Sequence, residues 1–222
     1  MRLDLHAHSR FSPDSRLDPR DIVRKARSIG LDGIAITDHN AVEGARVASD
    51  YAREFEGFVV IESIEVSTAE GHILGYGIEE TIQRDLSPEE TVERIIANGG
   101  VAVAAHPYRF WSGLGEKATK GTDFAVYEVQ NARTSKRGNR RAVDLASKGG
   151  KGRTGGSDGH LIDEIGGAVT VFDERLQRQE DVLQALADRK TDVAGVNRGA
   201  RATIKYVPKC VGEWMVRGFK RI

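Results

Sequence analysis

Residues 6 and 8 are both histidine, in the opening stretch MRLDLHAHSRFSPD. On an extended strand residues i and i+2 share a face, so the two imidazoles project side by side. Each ring carries a nitrogen that must find a polar partner. The pair therefore makes poor core filler and suits a shared metal ion. The other four histidines, His39, His72, His106 and His160, also fall at or beside apolar stretches. Carboxylates accompany them: Asp14 shortly after His8, Asp38 beside His39, Glu65 at the expected end of its strand, and Asp158 beside His160. Imidazole with carboxylate is the ligand mixture of zinc, manganese and iron sites. The donors are too many for one ion, so two or three ions sharing a carboxylate is the economical arrangement.

Short apolar strands alternating with amphipathic helices must position these groups. The pattern predicts strands at 1–6, GIAIT (33–37), FVVIESIEVS, HILGYGI, VAVAAH, AVYEVQ, AVTVF and DVAGV. Asp18, Pro19 and Gly30 bound a first helix, and residues 41–55 form a second. Ser87, Pro88 and Glu90 start a third through a capping box. Further helices are expected over 138–148 and QEDVLQALADRK, with a loop over 109–123. Repeated β-then-α units imply parallel strands with right-handed crossovers, hence an α/β barrel or an open doubly wound sheet. The histidines then gather mostly at the strands' carboxyl ends, where α/β barrels build active sites.

No composition break divides the 222 residues, so the chain reads as one domain. Lys plus Arg and Asp plus Glu are 33 each, for a net charge of zero. Global electrostatics therefore give no support to a general nucleic-acid or membrane-surface role. The single cysteine, Cys210, excludes an intrachain disulfide and reads as a packing residue. The chain shows no signal-peptide pattern and no run of about eighteen apolar residues, so a cytoplasmic protein is expected. The segment KYVPKCVGEWMVRGFKRI has helical apolar spacing, and its Trp214 and Met215 are expected in the core.

The motifs DLHAHSRFSPDS, GLDGIAITDHNAVEG, IEVST…GHILGYG, AHP and GGSDGH closely resemble the polymerase-and-histidinol-phosphatase (PHP) superfamily of metal-dependent phosphoesterases. The resemblance runs from residue 1 to about residue 195. It implies a distorted (β/α)7 barrel over 1–195; residues 196–222, beyond it, are expected from their own apolar spacing as a helical extension packed on the barrel or meeting a partner. It further implies a trinuclear centre. One ion would be held by His6, His8, Glu65 and Asp158, a second by the bridging Glu65 with His72 and His106, and a third by Asp14, His39 and His160. Those nine positions use every histidine in the chain. Asp38 lies outside the set, and either holds an imidazole in the right tautomer or caps the following helix.

The expected cofactors are two to three divalent ions (Zn, Mn or Fe) per chain. Such clusters lower the pKa of a bridging water from about 15.7 to about 7 and neutralise phosphoryl oxygens. Catalysis would then rest on Glu65 and Asp158, with a cation on the phosphate. Arg10, Arg109, Arg133 and Lys136 are the candidates, and Arg133 is preferred. The leading expectation is a phosphatase of small phosphomonoesters, of nucleotide or histidinol-phosphate type. The run RTSKRGNRR (133–141) keeps open a phosphodiesterase or exonuclease on short oligonucleotides. Two further alternatives are a non-catalytic metal-binding scaffold and C–N bond hydrolysis.

Overall fold

Local capping fixes where the first and third helices begin. Asp18 caps the first, its carboxylate accepting the Arg20 amide at 2.9 Å, and Gly30 ends the run at φ 77°. At the third, Ser87 and Glu90 side chains each accept the other's backbone N–H at 3.2 Å. Such caps are worth about 1 kcal/mol each.

The computed structural model describes residues 1–197, together with Gly212 and Met215. In chain order the first half contains β1 (Arg2–Ala7), α1 (Pro19–Ser28), β2 (Gly33–Ile36), α2 (Glu43–Ala52), β3 (Val59–Ile61), β4 (Ser63–Ser67) and β5 (His72–Tyr76). The second half contains α3 (Pro88–Ala97), β6 (Val101–Ala104), α4 (Gly115–Gly121), β7 (Val126–Asn131), α5 (Lys136–Gly149), β8 (Gly152–Gly156), β9 (Ala168–Val171), α6 (Gln179–Ala187) and β10 (Asp192–Gly195). The expected C-terminal helix, with Cys210 and Trp214, lies outside the described residues. Met215 is exposed, not in the core as its spacing predicts.

The strands form one α/β domain of two five-stranded sheets, ordered β10–β9–β1–β2–β3 and β4–β5–β6–β7–β8. The all-parallel expectation is corrected. The pairs β1–β2, β2–β3, β6–β7 and β7–β8 are parallel, whereas β4–β5, β5–β6, β1–β9 and β9–β10 are antiparallel. Residues 68–71 leave room only for a hairpin between β4 and β5, since a parallel crossover needs about a dozen residues or more. The loop expected over 109–123 contains α4.

The sheets meet along two seams where isolated bridges replace a continuous ladder. At one, Asp158 N donates to His6 O at 2.7 Å and His8 N to Gly159 O at 2.9 Å. At the other, Glu65 N donates to Asp38 O at 3.1 Å and Asn40 N to Glu65 O at 2.9 Å. Helices α1 and α2 pack on the first sheet through Ile22, Val23, Ala45 and Ala48, and α3 to α5 on the second through Val92, Ile95, Ala118 and Leu145. A third cluster joins Leu3 and Leu5 to Leu74, Tyr76, Val103 and Val126, and includes Val182 and Leu186 of α6. Burying each such side chain is worth about 1.5–3 kcal/mol, which ties the sheets together below the bridges.

Candidate metal centre

All nine sequence-identified donors converge at these seams. The first sheet supplies His6 from β1, His8 and Asp14 from the segment after it, and His39 after β2. The second supplies Glu65 from β4, His72 from β5, His106 after β6, and Asp158 and His160 after β8. Glu65 sits mid-strand and not at a strand end as expected, because β4 runs on into its hairpin with β5.

Glu65 is buried at the middle of the cluster, and its two oxygens divide the imidazoles. Oε1 lies 3.0 Å from His72 Nδ1 and 3.0 Å from His106 Nε2. Oε2 lies 3.3 Å from His8 Nε2, 3.3 Å from His39 Nδ1 and 3.4 Å from His6 Nε2. Asp158 Oδ1 lies 3.6 Å from His8 Nε2 and 4.0 Å from His6 Nε2. Asp14 Oδ2 lies 2.7 Å from His160 Nε2 and 3.7 Å from His39 Nε2. Among the described residues, four groups of three donors are compact enough to hold an ion: His6–His8–Asp158, His6–Glu65–His106, His8–Asp14–His160 and His8–His39–Glu65. Each draws on both sheets.

The donor chemistry fits bound metal. His6 Nε2 and His8 Nε2 face each other at 3.1 Å while both point at Glu65. Two buried ring nitrogens in that arrangement have at most one proton to share, whereas a cation satisfies both lone pairs together with the carboxylate. The backbone is strained at two of the donors, with His106 at φ 29° and Asp158 at φ 52°. Positive φ at a non-glycine residue persists where the surroundings over-determine it, and such sites cluster at functional centres.

Charge and burial set the protonation of the rings. Burial pushes His39 down to about 3 and His160 to about 4, the latter helped by the Arg133 charge. Burial would also depress His6, but Glu128, Glu65 and Asp158 carry it well above its ordinary value. The carboxyl groups of Glu65 and Asp158 are held well below theirs: burial opposes this, and the surrounding imidazoles, with Arg109 on Asp158, outweigh it.

Of the four candidate cations, two reach the centre. Arg133 is buried, with Nη1 3.1 Å from Asp158 O and 3.5 Å from Asp158 Oδ1, and in contact with His160 Nδ1. Arg109 Nη1 contacts Asp158 Oδ2. Arg10 instead pairs with Asp18, and Lys136 is exposed at the start of α5. Neither expectation for Asp38 holds. Its carboxylate takes the Ser9 amide at 2.6 Å and the Ser9 hydroxyl at 2.5 Å, touching no imidazole, and α2 has no side-chain cap. Ser9 is the adjacent donor, which claims the carboxylate first, and burial pushes that carboxyl up to about 6.

Three polar residues of the site escape sequence reasoning. Glu128 Oε1 meets His6 Nδ1, its Oε2 accepts the His106 backbone amide, and Asn131 Nδ2 donates to both oxygens at 3.2 Å. Asn131 Nδ2 also donates to Asp158 Oδ2 at 3.1 Å. Asp4 accepts the backbone amides of His6, Ser157 and Gly166, and burial raises its carboxyl to about 6. The available signal was a carboxylate inside each of two apolar strands, RLDLHA and AVYEVQ.

A family model described as "PHP-associated" matches residues 136–191. The chain is 42% identical over 118 residues to an uncharacterised protein of Methanocaldococcus jannaschii, covering 49% of this chain and 68% of that protein. It is 36% identical over 84 residues to a 5'-3' exoribonuclease of Haemophilus influenzae, covering 36% of this chain and 30% of that one. Among solved structures it is similar to a two-domain protein of Bacteroides vulgatus described as containing a predicted PHP-like metal-dependent phosphoesterase. That superposition has a TM-score of 0.73 at 19% identity, covering 88% of this chain and 65% of the other.

Proposed function

Because the chain belongs to the PHP-like metal-dependent phosphoesterase superfamily, we propose that it hydrolyses small phosphomonoesters of nucleotide or histidinol-phosphate type. The observation that carries this reading is Glu65, whose two buried oxygens are divided between two sets of imidazoles. A carboxylate so placed is a bridge. On this reading His6, His8, Glu65 and Asp158 hold one ion, Glu65, His72 and His106 a second, and Asp14, His39 and His160 a third. Zinc, manganese and iron all suit that donor mixture. The same reading takes the sheets as one distorted seven-stranded barrel of β1, β2, β4, β5, β6, β7 and β8, supported by the bridges at both seams.

Bound divalent ions supply a water acidic enough to ionise near neutrality and neutralise charge on phosphoryl oxygens. The chain's own residues do the rest. Glu128 accepts a hydrogen bond from His6 Nδ1–H, which leaves Nε2 as a lone pair aimed at Glu65. Arg133 and Arg109 place two guanidinium groups around Asp158, where they can receive phosphate oxygens and add charge stabilisation in the transition state. Arg133 is the preferred phosphate contact because it is held against both Asp158 and His160.

A second reading, cleavage of phosphodiesters in short oligonucleotides, draws on the exoribonuclease likeness and on the exposed Lys136, Arg137 and Arg140 at the start of α5. The deciding assay measures product release from nucleoside monophosphates, histidinol phosphate, p-nitrophenyl phosphate, bis-p-nitrophenyl phosphate and a short single strand, with Mn, Zn or Fe loaded. Monoesters should show the higher kcat/KM. A diester or oligonucleotide exceeding every monoester would transfer the proposal to the second reading, and no reaction with any metal would end both.

A further inference from the structure

The segment after β6 joins the metal centre to a pair of aromatic rings that the fold does not use. His106 opens it, and Arg109 reaches Asp158. The next two residues turn outward. Phe110 is 87% exposed and Trp111 69% exposed, with ring centroids 5.0 Å apart in a T-shaped arrangement. Exposing two large rings side by side brings the folded chain nothing, and neighbouring exposed apolar groups of this kind mark contact sites.

The base under the pair is firmly built. Arg109 N donates to His106 O at 2.9 Å, Gly113 N to Arg109 O at 3.2 Å, and Gly115 N to Pro107 O at 3.0 Å. A Cβ at Gly113 would fall 2.5 Å from Arg109 O, so only glycine lets the turn fold back on itself. Gly71, beside His72, approaches the same turn so closely that a Cβ there would lie 2.6 Å from Leu114 Cα. Tyr108 donates to Glu116 at 2.9 Å and is covered by the Arg141 guanidinium 4.0 Å from its ring centroid. The rings at 110 and 111 are thus presented on a scaffold locked to His106 and packed beside His72.

Two rings are far too small a surface for a stable protein partner, which covers about 800 Å² per side. They do suit one flat ring, for which an edge-to-face aromatic pair offers a face and an edge. Arg109 stands directly beside them in sequence and is already engaged at the centre, which ties the pair to the place where a phosphate would be held. We propose that Phe110 and Trp111 are the specificity-determining pair of this centre, a platform on which the base of a nucleotide stacks while its phosphate lies at Arg109. The inference rests on the phosphoester-hydrolysis reading, from which it selects nucleotides among the small monoesters.

Two measurements on the full chain test it separately from that reading. In a Trp214→Phe background Trp111 is the only tryptophan. Adenosine monophosphate should quench its emission saturably, and glycerol phosphate should not. With manganese loaded, Trp111→Ala should lower kcat/KM for adenosine monophosphate about tenfold more than for glycerol phosphate, chiefly through KM, as the loss of one base-stacking contact implies. Equal losses on the two esters, or a quench that does not saturate, would overturn the platform. Saturable quenching in a protein that hydrolyses neither ester would uphold the platform while the hydrolytic reading fell.

Discussion

Glu128 Oε1 lies 2.9 Å from His6 Nδ1, so a carboxylate of β7 in one sheet orients an imidazole of β1 in the other. Glu128→Gln removes the charge and places an amide against that ring. Metal affinity or turnover should fall about 10–100-fold, the usual cost of losing a group that orients a ligand. A competition titration against a chromogenic chelator checks this, and an affinity equal to wild type would remove Glu128 from the role.

Glu65→Gln or Asp158→Asn should lower kcat at least ~100-fold, comparable to removing a main electrostatic stabiliser. The fold should survive, because the apolar clusters do not include either residue. Circular dichroism and saturating-metal kinetics measured side by side give the answer. Near-wild-type turnover in either variant contradicts the assignment.

The chain purified without chelator should carry two to three transition-metal ions. Elemental analysis after reconstitution that returns less than one per chain would rule out the shared-carboxylate arrangement built on Glu65.

Metal uptake should release protons near pH 7. His6 is held well above its ordinary value, and His8 is also raised, burial being outweighed by Asp158, Glu65 and Asp14. The proton these two rings share must leave before both become ligands, whereas His39 and His160, at about 3 and about 4, are already neutral. Affinity therefore rises with pH across the range in which His6 stays protonated, and falls on acidification. Calorimetry in two buffers of different ionisation enthalpy should report about one proton released per chain or more. Identical apparent enthalpies in both buffers would mean none.

Gly156→Ala should destabilise the protein and impair the centre together. The added Cβ would lie 2.3 Å from His6 Cβ and 2.6 Å from His6 N, so β8 and β1 must part. Overpacking of this kind costs about 1–3 kcal/mol. A lower thermal midpoint with weakened metal binding is expected. An unchanged midpoint would show that the seam yields without cost.

Much of this was legible in the residues. Asp18, Pro19, Ser87 and Glu90 carry their helix starts in their own side chains, and all nine donors belong to types that stand out among apolar strands. What stayed hidden was set by tertiary contact. Nothing local tells that Asp38 will meet Ser9, 29 residues earlier, before any imidazole. Glu128 sits in AVYEVQ like any charged residue on a half-exposed strand, and only the covering of both its faces makes it a partner for His6. α4, bounded by Gly115 and Gly121 with no side-chain cap, has almost no local signal and forms because Ala118 and Thr119 are buried. The antiparallel turn of β4 into β5 follows from a connection length that strand propensity does not register.

The four donor triads each span the two sheets, at the places where hydrogen-bonded pairing gives out. An ion held there is a rivet as well as a reagent. Its binding free energy adds to the cohesion of the halves as RT ln(1 + [L]/Kd), about 2.7 kcal/mol at a hundredfold excess over Kd. Stripping the metal should therefore loosen the backbone before it unfolds the protein. The amides of His8, Asn40, Glu65 and Asp158, which cross the seams, should exchange with solvent sooner than those of β5 and β6, whose ladder is continuous. A chelator would then do more than silence the chemistry. It would unfasten the chain along two lines already drawn by its topology.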